Sequence, residues 1–433
     1  MIGQDDAIMY RILVLSYYRG EFPLRKSVKN HLYCFDTGSS HYCFHVNLAA
    51  RGIPWHFRRI RFDLILFHHS FFSLRDNRRR HRALLKRVRH LKDSSATKAI
   101  MPQDEHRETD VLCEFIDEFA VDYVFTLAPE HLWQTLYGDV DRDRVSFFRI
   151  LAGYLAFEDI AVIEQIGQAV GERPVHIGYR ARPVVPCMGR HAMLKVQLAD
   201  LFKEYAKEYE LVSDISNSPD DVLLGNEWYT FLRECKYTIG VEGGASVIDR
   251  DGSLRRRTRD FMTENPHASF DEVEAAVFPG LDGLVHYAAI TPRHLEACAT
   301  RTCQVLVEGD YNGILVADEH FIELKRDFSN ISQVIERIVK DEDRDRITAK
   351  AYEDIVASGR YTYERLVEFV LACCFGSDST ARLVGENRLA VRACRLLSII
   401  SDASSWGVVA LMWYGRCFAK RLGFWHLVRR WIY

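Results

Sequence analysis

Two arginines and a lysine follow an apolar run in the second half of the chain. Arg180 and Arg182 come directly after the sequence VHIGY, and Lys195 lies one turn into the helix predicted to follow. Open α/β sheets bind ligands at the carboxyl ends of their strands, which is where these arginines are predicted to lie. Two guanidinium groups and an ammonium can neutralise a diphosphate, although a solvated basic loop would have the same composition.

Adjacent glycines close the next long predicted strand, YTIGV. Gly243 and Gly244, with Ser246 shortly after them, belong to the sequence GVEGGAS at residues 240–246. Glycines let backbone N–H groups approach a phosphate closely, but a simple tight turn uses the same residues. Because the chain has no GxGxxG after its first strand and no Walker A sequence, the usual dinucleotide and P-loop sites are disfavoured.

A helix that begins at a proline is predicted from the sequence TPRHLEA at residues 291–297. Proline favours the first helical turn, which places Arg293 and Glu296 near the ligand-binding edge of the sheet. A carboxylate at this place can accept hydrogen bonds from both hydroxyls of a ribose. Acidic residues also favour first turns because of the helix dipole, which is the alternative explanation for Glu296.

Four residues in the first half are candidates for a general base. His68 and His69 follow the predicted strand FDLILF, and Asp104 and Glu105 follow the next predicted strand. An imidazole that titrates near neutral pH, or a carboxylate, could deprotonate a hydroxyl group. For each of the four, a hydrogen bond to the wall of a cleft is the alternative role.

Strands alternate with helices along the chain, which is typical of parallel, doubly wound sheets. The alternation restarts at VHIGY, so we predict an α/β fold with two Rossmann-like domains facing a cleft, followed by a helical tail. The predicted ranges are 1–168 for the N-terminal domain, 169–375 for the C-terminal domain and 376–433 for the tail. Within the first domain, a helix is expected at about residues 30–51.

Taken together, these segments resemble a known family. Residues 170–360 are similar to the donor-binding half of GT-B glycosyltransferases, especially bacterial family-1-like enzymes of polysaccharide and glycan biosynthesis. The resemblance rests on four blocks in this order: IGYRARPVVPCMGRHAMLK, GVEGGASVIDRDGSLRRR, TPRHLEACATRTCQVLVEGDYNGIL and HFIELKRDFSN. In the first half only FHHS and PQDEHRETD extend it, and the tail lies outside it.

The resemblance implies that the second domain holds a nucleoside-diphosphate sugar and that the acceptor docks on the first domain. It assigns the diphosphate to Arg180 and Lys195, the loop beside it to residues 243–246, and the ribose to Glu296. Arg182 and Arg293 are placed in the same donor site.

One position departs from the family pattern. Many retaining members carry a second glutamate eight positions before the ribose glutamate, where this chain has Ala288. An insertion of about residues 247–287 also separates the glycines from Glu296. Glu242 could replace the missing acid in space, so retention or inversion of the sugar configuration stays open.

The sequence predicts no metal and no cofactor beyond the donor sugar nucleotide. No DxD pattern ends a predicted strand, so a divalent cation is not implied. Arginine and lysine charges and backbone amides would then stabilise the leaving diphosphate.

Composition limits the compartment and the partners. The 433 residues carry a net charge of −3, with 57 Lys and Arg against 60 Asp and Glu, which argues against a nucleic-acid binder. The 11 cysteines are scattered without a CxxC pair, which favours reduced thiols in the cytosol. Because no stretch of about 18 residues is uninterrupted and apolar, no transmembrane helix is expected.

The tail combines aromatic and basic residues. Its four tryptophans are Trp406, Trp413, Trp425 and Trp431, and basic residues flank the apolar stretch 406–414. This composition predicts a peripheral anchor on an anionic membrane surface, with packing against the α/β body as the alternative. The basic segment 75–92 is predicted to be an amphipathic helix packed on one face, or one that contacts anionic lipid or a phosphorylated acceptor.

The predicted function is therefore metal-independent transfer of a sugar from a nucleotide sugar to a glycan or lipid-linked acceptor, at the cytosolic face of the membrane. An epimerase of sugar nucleotides with the same architecture is one alternative. A membrane-docked scaffold without catalytic activity is the other, and the alanine at position 288 is compatible with it.

Overall fold

Apolar runs such as RILVLS and LILF form strands that are almost completely buried, as expected for parallel sheets covered by helices. The computed structural model describes residues 9–36, 41–169, 171–376 and 388–421. The strands of the first sheet are β1 (Arg11–Ser16), β2 (Tyr42–Asn47), β3 (Leu64–Phe67), β4 (Thr97–Ile100), β5 (Tyr123–Thr126) and β6 (Ser146–Arg149). The helices of this region are α1 (Lys26–Tyr33), α2 (Arg78–Val88), α3 (Thr109–Glu118), α4 (Trp133–Tyr137) and α5 (Phe157–Ala169).

The first sheet is parallel throughout, in the order β2-β1-β3-β4-β5-β6. The chain moves outward from β1 to β2 and then returns past β1 to β3. The topological switch point, where ligands bind in open sheets, therefore lies beyond the carboxyl ends of β1 and β3.

The second half of the chain repeats this construction. Its strands are β7 (Val175–Arg180), β8 (Ser213–Ser216), β9 (Cys235–Gly240), β10 (Gly243–Ala245), β11 (Tyr287–Ala289), β12 (Cys303–Val307) and β13 (Ile322–Leu324). Its helices are α6 (Arg190–Glu208), α7 (Glu227–Glu234), α8 (Ser253–Glu264), α9 (Phe270–Val277), α10 (Pro292–Ala299), α11 (Ile331–Lys340) and α12 (Arg344–Ala351). Two further helices follow, α13 (Tyr363–Phe375) and α14 (Arg388–Arg421).

The second sheet is also parallel, in the order β13-β12-β9-β7-β8, with its switch point between β7 and β9. Strands β10 and β11 form a separate antiparallel pair. Two Rossmann-like sheets with a C-terminal helix confirm the predicted fold class.

The helix expected at residues 30–51 is wrong. Helix α1 ends at Tyr33, and residues 42–47 form the strand β2, which is buried along its whole length. Strand β2 pairs in parallel with β1, with Phe44 opposite Leu13. This long-range pairing outweighs the local helical preference of the sequence.

The insertion between β10 and β11 joins the two domains. Glu108 donates its backbone N–H to the Asp249 carbonyl at 2.8 Å, and Asp249 donates its own to the His106 carbonyl at 2.7 Å. At the end of the insertion, Tyr287 donates a hydrogen bond of 3.2 Å to the Glu105 carboxylate. The insertion therefore packs on the first domain as well as on the second.

The last two helices return to the first domain. The buried residues of α13 belong to the core of that domain, although residues 363–375 lie within the range predicted for the second domain. Helix α14 packs beside the edge strand β2. Trp406 donates to the Tyr33 hydroxyl, which in turn donates to Asp402 at 2.5 Å, so one face of α14 covers the body of the protein, as the alternative interpretation of the tail predicted.

By length and composition, one helix of the described residues could cross a membrane. It comprises residues Val391–Phe418 of α14, with a hydropathy of 1.4. The prediction of no transmembrane helix rested on the absence of an uninterrupted apolar stretch, whereas this part of α14 is apolar on average although charged residues interrupt it. Trp425 and Trp431 lie outside the described residues.

The amphipathic helix predicted in the basic segment forms as α2. His81, Leu84 and Val88 are buried, and most of the arginines of α2 remain on the outer face. Packing of one face is therefore confirmed.

We predict that Glu105 is essential for the stability of the first domain. Its buried carboxylate accepts hydrogen bonds from the hydroxyls of Thr126 and Tyr137 and, at 2.9 Å, from the Leu127 N–H. Replacing Glu105 with alanine leaves these buried donors without partners, and we expect a loss of about 3 kcal/mol or more in the free energy of unfolding in urea.

Tyr287→Phe should cost only about 1 kcal/mol, because it removes a single hydrogen bond of the same carboxylate. Glu204→Ala, at an exposed position of α6, is the control and should stay within about 0.5 kcal/mol of the wild type. Equal stability of Glu105→Ala and the control would contradict this role.

Candidate functional site

A cavity of about 600 Å³ opens between the two domains, and we call it the main cavity. Arg180 and Gly240, at the carboxyl ends of β7 and β9, lie on its wall, so it occupies the switch point of the second sheet. Arg25 and Asp104 come to it from the first domain. A ligand in this cavity would contact both domains at once.

Positive charge predominates on the wall of the main cavity. The basic residues that line it are Arg25, Lys26, Arg107, Arg180, Arg182, Lys195, Arg255 and Arg293, and the acidic ones are Asp104, Asp221, Asp249 and Glu296. Several cations already have partners, since Arg25 and Arg182 both pair with Glu21 and Lys26 pairs with Asp159 at 2.8 Å.

Lys195 differs from these paired cations. No hydrogen bond or ion pair of its ammonium group exists within the part of the chain that the structure describes. Burial lowers its pKa and the nearby Arg293 lowers it further, whereas Asp104 acts in the opposite direction. A half-buried ammonium without a partner is a favourable contact for an anion.

Glu296 lies on the same wall and is only 8% exposed. Its Oε2 accepts a hydrogen bond of 2.7 Å from the Trp228 indole N–H. Burial raises the pKa of Glu296 to about 7, against the opposing effects of Trp228 and Arg293. Because its Oε1 has no partner among the described residues, this carboxylate can still accept hydrogen bonds from a ligand.

The three predicted arginines are engaged with protein groups. The Arg180 guanidinium pairs with Asp214 at 2.7 Å and stacks on the Phe231 ring. Arg182 pairs across the cleft with Glu21, and Arg293 donates to the Arg180 carbonyl. The structure therefore brings Lys195, Arg293 and Glu296 together but turns the Arg180 side chain towards β8.

The glycine pair has a structural explanation. Gly244 has φ +148° and faces Ala288 across the β10–β11 pair, where a Cβ would come within 1.8 Å of the Tyr287 carbonyl oxygen. The close approach of β11 therefore requires glycine at this position. The same pair of strands explains why position 288 is alanine and not the glutamate of the family pattern, because Ala288 is buried in the β10–β11 pair.

Ser246 follows β10 and contacts the first turn of α6. Its hydroxyl accepts a hydrogen bond of 3.2 Å from the His191 N–H and donates one of 2.6 Å to Asp282. Asp282 also accepts from the Arg190 N–H at 3.0 Å. Two N–H groups of the first turn of α6 thus already have protein partners.

A second cavity of about 370 Å³ adjoins the switch point of the first sheet. Of the residues predicted to be catalytic, His69 and Asp104 line it, and Asp104 also lines the main cavity. Asp104 adopts a left-handed conformation with φ +53°, a strained backbone geometry that is common at functional sites. Its carboxylate is thus accessible where the two cavities adjoin.

The Asp104 carboxyl is ionised at neutral pH. Burial acts to raise its pKa, but the side chains of His106, Arg107 and Arg75 outweigh this effect and lower the pKa below its usual value. Arg107 lies 3.4 Å from the carboxylate.

The two predicted histidines lie in a cluster with His31. The His68 Nδ1 accepts a hydrogen bond of 3.2 Å from the Ser70 N–H, and the whole side chain is buried. Burial and the neighbouring His31 lower the pKa of His69 to about 3. Both imidazoles are therefore neutral at physiological pH, and His69 is a weaker base than an unperturbed histidine.

Glu105 and Glu242 are not part of either cavity wall. The Glu105 carboxylate already accepts four hydrogen bonds, from Thr126, Leu127, Tyr137 and Tyr287. Glu242 is buried, accepts a hydrogen bond of 2.9 Å from the Tyr311 N–H, and has its pKa raised by burial. Glu242 therefore does not replace the acid that is missing at position 288.

Sequence reasoning missed several residues of the main cavity. His106 and Arg107 lie shortly after Asp104 in the chain. Arg25 is the residue before α1, and Trp228 belongs to α7. His106 and Arg107 belong to the sequence PQDEHRETD, which extends the family resemblance into the first half, so their position beside Asp104 was a usable signal. No sequence pattern marks Arg25 as a site residue, because its place on the cavity wall depends on how the two domains pack.

No protein-family model matches the chain, and no curated protein matches it. Among solved structures, HepE of Anabaena in complex with UDP is similar, with a TM-score of 0.45, 10% identity and coverage of 84% of this chain and 100% of that chain. An alpha-glucosyltransferase in complex with UDP-glucose and DNA has a TM-score of 0.44 at 11% identity, over 84% of this chain and 99% of that one.

TarM of S. aureus has a TM-score of 0.41 and 12% identity. The match covers 74% of this chain and spans 57% of TarM. At these identities and TM-scores, the likeness concerns the fold alone.

We predict that Glu296 lowers the stability of the unliganded protein at alkaline pH. Its folded pKa of about 7 lies above the ordinary value of 4.5, so its contribution to stability is complete below about pH 4.5 and is lost as the pH rises to about 7. Glu296→Gln keeps an acceptor for Trp228 and removes the charge. The variant should gain up to about 3 kcal/mol relative to the wild type at about pH 8 and little at about pH 4.

Thermal unfolding at both pH values measures this difference. Glu204→Gln makes the same chemical change at an exposed position and should show no pH-dependent gain. A constant difference between Glu296→Gln and the wild type across the pH range would contradict the raised pKa.

Proposed function

We propose that the protein is a glycosyltransferase that uses a nucleoside-diphosphate sugar bound in the main cavity. The observation that carries the proposal is the convergence of Lys195 and Glu296 on one cavity wall. Among the described residues, the Lys195 ammonium has no partner and one oxygen of the Glu296 carboxylate is unused. An anion and a pair of hydroxyls on one ligand satisfy both groups. A nucleoside diphosphate has both features, with its diphosphate for the cation and its ribose for the carboxylate.

Charge on the cavity wall would stabilise the leaving group. As the bond between the sugar and the diphosphate breaks, negative charge accumulates on the diphosphate oxygens. Lys195 and Arg293 are already in place on that wall, so no rearrangement of charge is needed during the reaction. We therefore propose a reaction that does not depend on a divalent metal.

Asp104 is the proposed general base. It is ionised at neutral pH and lies on the walls of both cavities, so it can contact an acceptor hydroxyl in the second cavity and face the donor in the main cavity. The hydroxyl proton passes to the Asp104 carboxylate while the acceptor oxygen forms the new bond to the sugar carbon. The nucleoside diphosphate leaves with the electron pair of the broken bond.

The exposed face of α14 supports a location at the cytosolic surface of a membrane. Ile400, Leu411 and Phe418 are 65%, 76% and 65% exposed, although the opposite face of the helix packs on the first domain. Apolar side chains at helical spacing with arginines along the same helix suit binding in the headgroup region of an anionic bilayer. We propose that the acceptor is a glycan or lipid-linked molecule presented at this surface.

The test of the enzymatic proposal is the release of nucleoside diphosphate from a panel of nucleotide sugars, measured with and without membrane extract as a source of acceptor. Lys195→Gln should weaken nucleotide binding about ten- to a hundredfold in calorimetry, because a charged contact is lost. Asp104→Asn should bind nucleotide normally and lower turnover by about 10²–10⁴.

Lys203→Gln is the matched control, because this lysine is exposed on the same helix as Lys195. Its nucleotide binding should equal that of the wild type. Epimerised or free sugar formed without acceptor would favour the epimerase. Nucleotide binding without turnover of any donor would favour the inactive scaffold.

For the membrane, we predict that the double variant Ile400→Ser and Leu411→Ser partitions about tenfold or more weakly onto phosphatidylglycerol vesicles, since two exposed apolar side chains are lost. Sedimentation with the vesicles measures the effect. Leu284→Ser, at a residue of the second domain that is 71% exposed, should leave partitioning unchanged. Equal sedimentation of all three proteins would contradict the anchor.

A further inference from the structure

The second cavity contains an excess of positive charge that the catalytic proposal does not use. The arginines that line it are Arg19, Arg75, Arg80, Arg107 and Arg416, whereas Asp104 is the only acidic residue on its wall within the described part of the chain. A cavity of about 370 Å³ with this lining favours a ligand that carries negative charge.

Among the described arginines of this cavity, Arg19, Arg75 and Arg416 each have a buried Nε with unused hydrogen-bonding capacity, but Arg75 forms an ion pair with Glu108. Within the described residues, the buried Nε atoms of Arg19 and Arg416 have no hydrogen-bond partner, and neither side chain forms an ion pair. The Arg416 side chain donates a hydrogen bond of 2.9 Å to the backbone carbonyl of Arg19. Burying unpaired guanidinium nitrogens is costly unless a ligand supplies the acceptors.

The cavity also adjoins the apolar surface of α14. Arg416, which belongs to α14, lies between the exposed side chains of Tyr414 and Phe418 in the sequence. Tyr414 packs edge-on against Phe22, with 6.3 Å between the ring centroids. A ligand that leaves the cavity beside Arg416 therefore meets exposed apolar side chains.

We propose that the second cavity binds the phosphate of a lipid-linked acceptor, with Arg19 and Arg416 as its ligands. The inference rests on the proposed function and names the acceptor class. Arg19, Arg416 and Asp104 line this one cavity, and the exposed apolar residues of α14 stand close to Arg416 in the sequence. An acceptor with a lipid chain, a phosphate and a reacting hydroxyl offers one group to each of these three features. Bidentate guanidinium groups are the side chains best suited to hold a phosphate at a defined position.

The experiment measures binding of three probes by calorimetry: farnesyl phosphate, farnesol and inorganic phosphate. Farnesyl phosphate should bind to the wild type at least about tenfold more tightly than either of the others, because only it satisfies the arginines and the apolar surface together. Arg416→Gln should weaken its binding about tenfold or more, and Arg416→Lys should restore part of the loss because the charge returns.

Arg395→Gln is the matched control, since Arg395 lies on the same helix but stacks on Tyr42 and is not part of the cavity wall. It should bind farnesyl phosphate like the wild type. If Arg416→Gln does not fold, as judged by near-ultraviolet circular dichroism, Arg19→Gln makes the same test from the first domain.

Three results would overturn the inference. Farnesol could bind as tightly as farnesyl phosphate, inorganic phosphate could do so, or the Arg416 and Arg19 variants could retain wild-type affinity for the lipid phosphate. Nucleotide binding is measured in parallel with UDP. If the wild type binds neither UDP nor any nucleotide sugar of the panel, the proposed function is rejected. If it binds one of them while any of these three results is obtained, only the acceptor assignment is rejected.

Discussion

The attachment of the insertion to the first domain is the constraint on which the candidate site depends. Asp249 exchanges backbone hydrogen bonds with His106 and Glu108, and Tyr287 reaches the buried carboxylate of Glu105. These contacts fix residues 105–108, which directly follow the left-handed backbone of Asp104. Because the segment is fixed to both domains, the walls of the main cavity meet at a defined distance, and Asp104 is held where the two cavities adjoin.

The cleft between the two domains contains charged groups whose burial lowers the stability of the unliganded protein. Burial raises the pKa of Glu296, and Lys195 is half buried without a partner in the part of the chain that the structure describes. Each group costs stability alone, but a ligand with hydroxyls and negative charge would offset both costs. Such perturbed groups in one cavity are typical of functional sites. The neighbouring Arg180, in contrast, is already neutralised by Asp214 and contributes mainly to the packing of the second sheet.

Helix α14 contacts the first sheet and also contributes to the wall of the second cavity. The helix covers the edge of the first sheet with one face, which protects β2 from pairing with other chains. Its other face leaves Leu411 and Phe418 in solvent, and Arg416 projects between the two environments into the second cavity. Helix α14 thus covers the edge of the first sheet, exposes an apolar surface and contributes Arg416 to the wall of the candidate acceptor site.

The sequence by itself determined the alternation of strands and helices, the division into two α/β halves and the edge of the second sheet where a ligand would bind. These features depend on local apolar runs and on the prolines and glycines that end them. Tertiary structure alone decided that Asp104 faces the cavities while its neighbour Glu105 is buried, since adjacent residues differ in direction rather than in type. It also decided that Arg180 pairs with Asp214 and that α14 borders the second cavity, because these contacts join residues from distant parts of the chain.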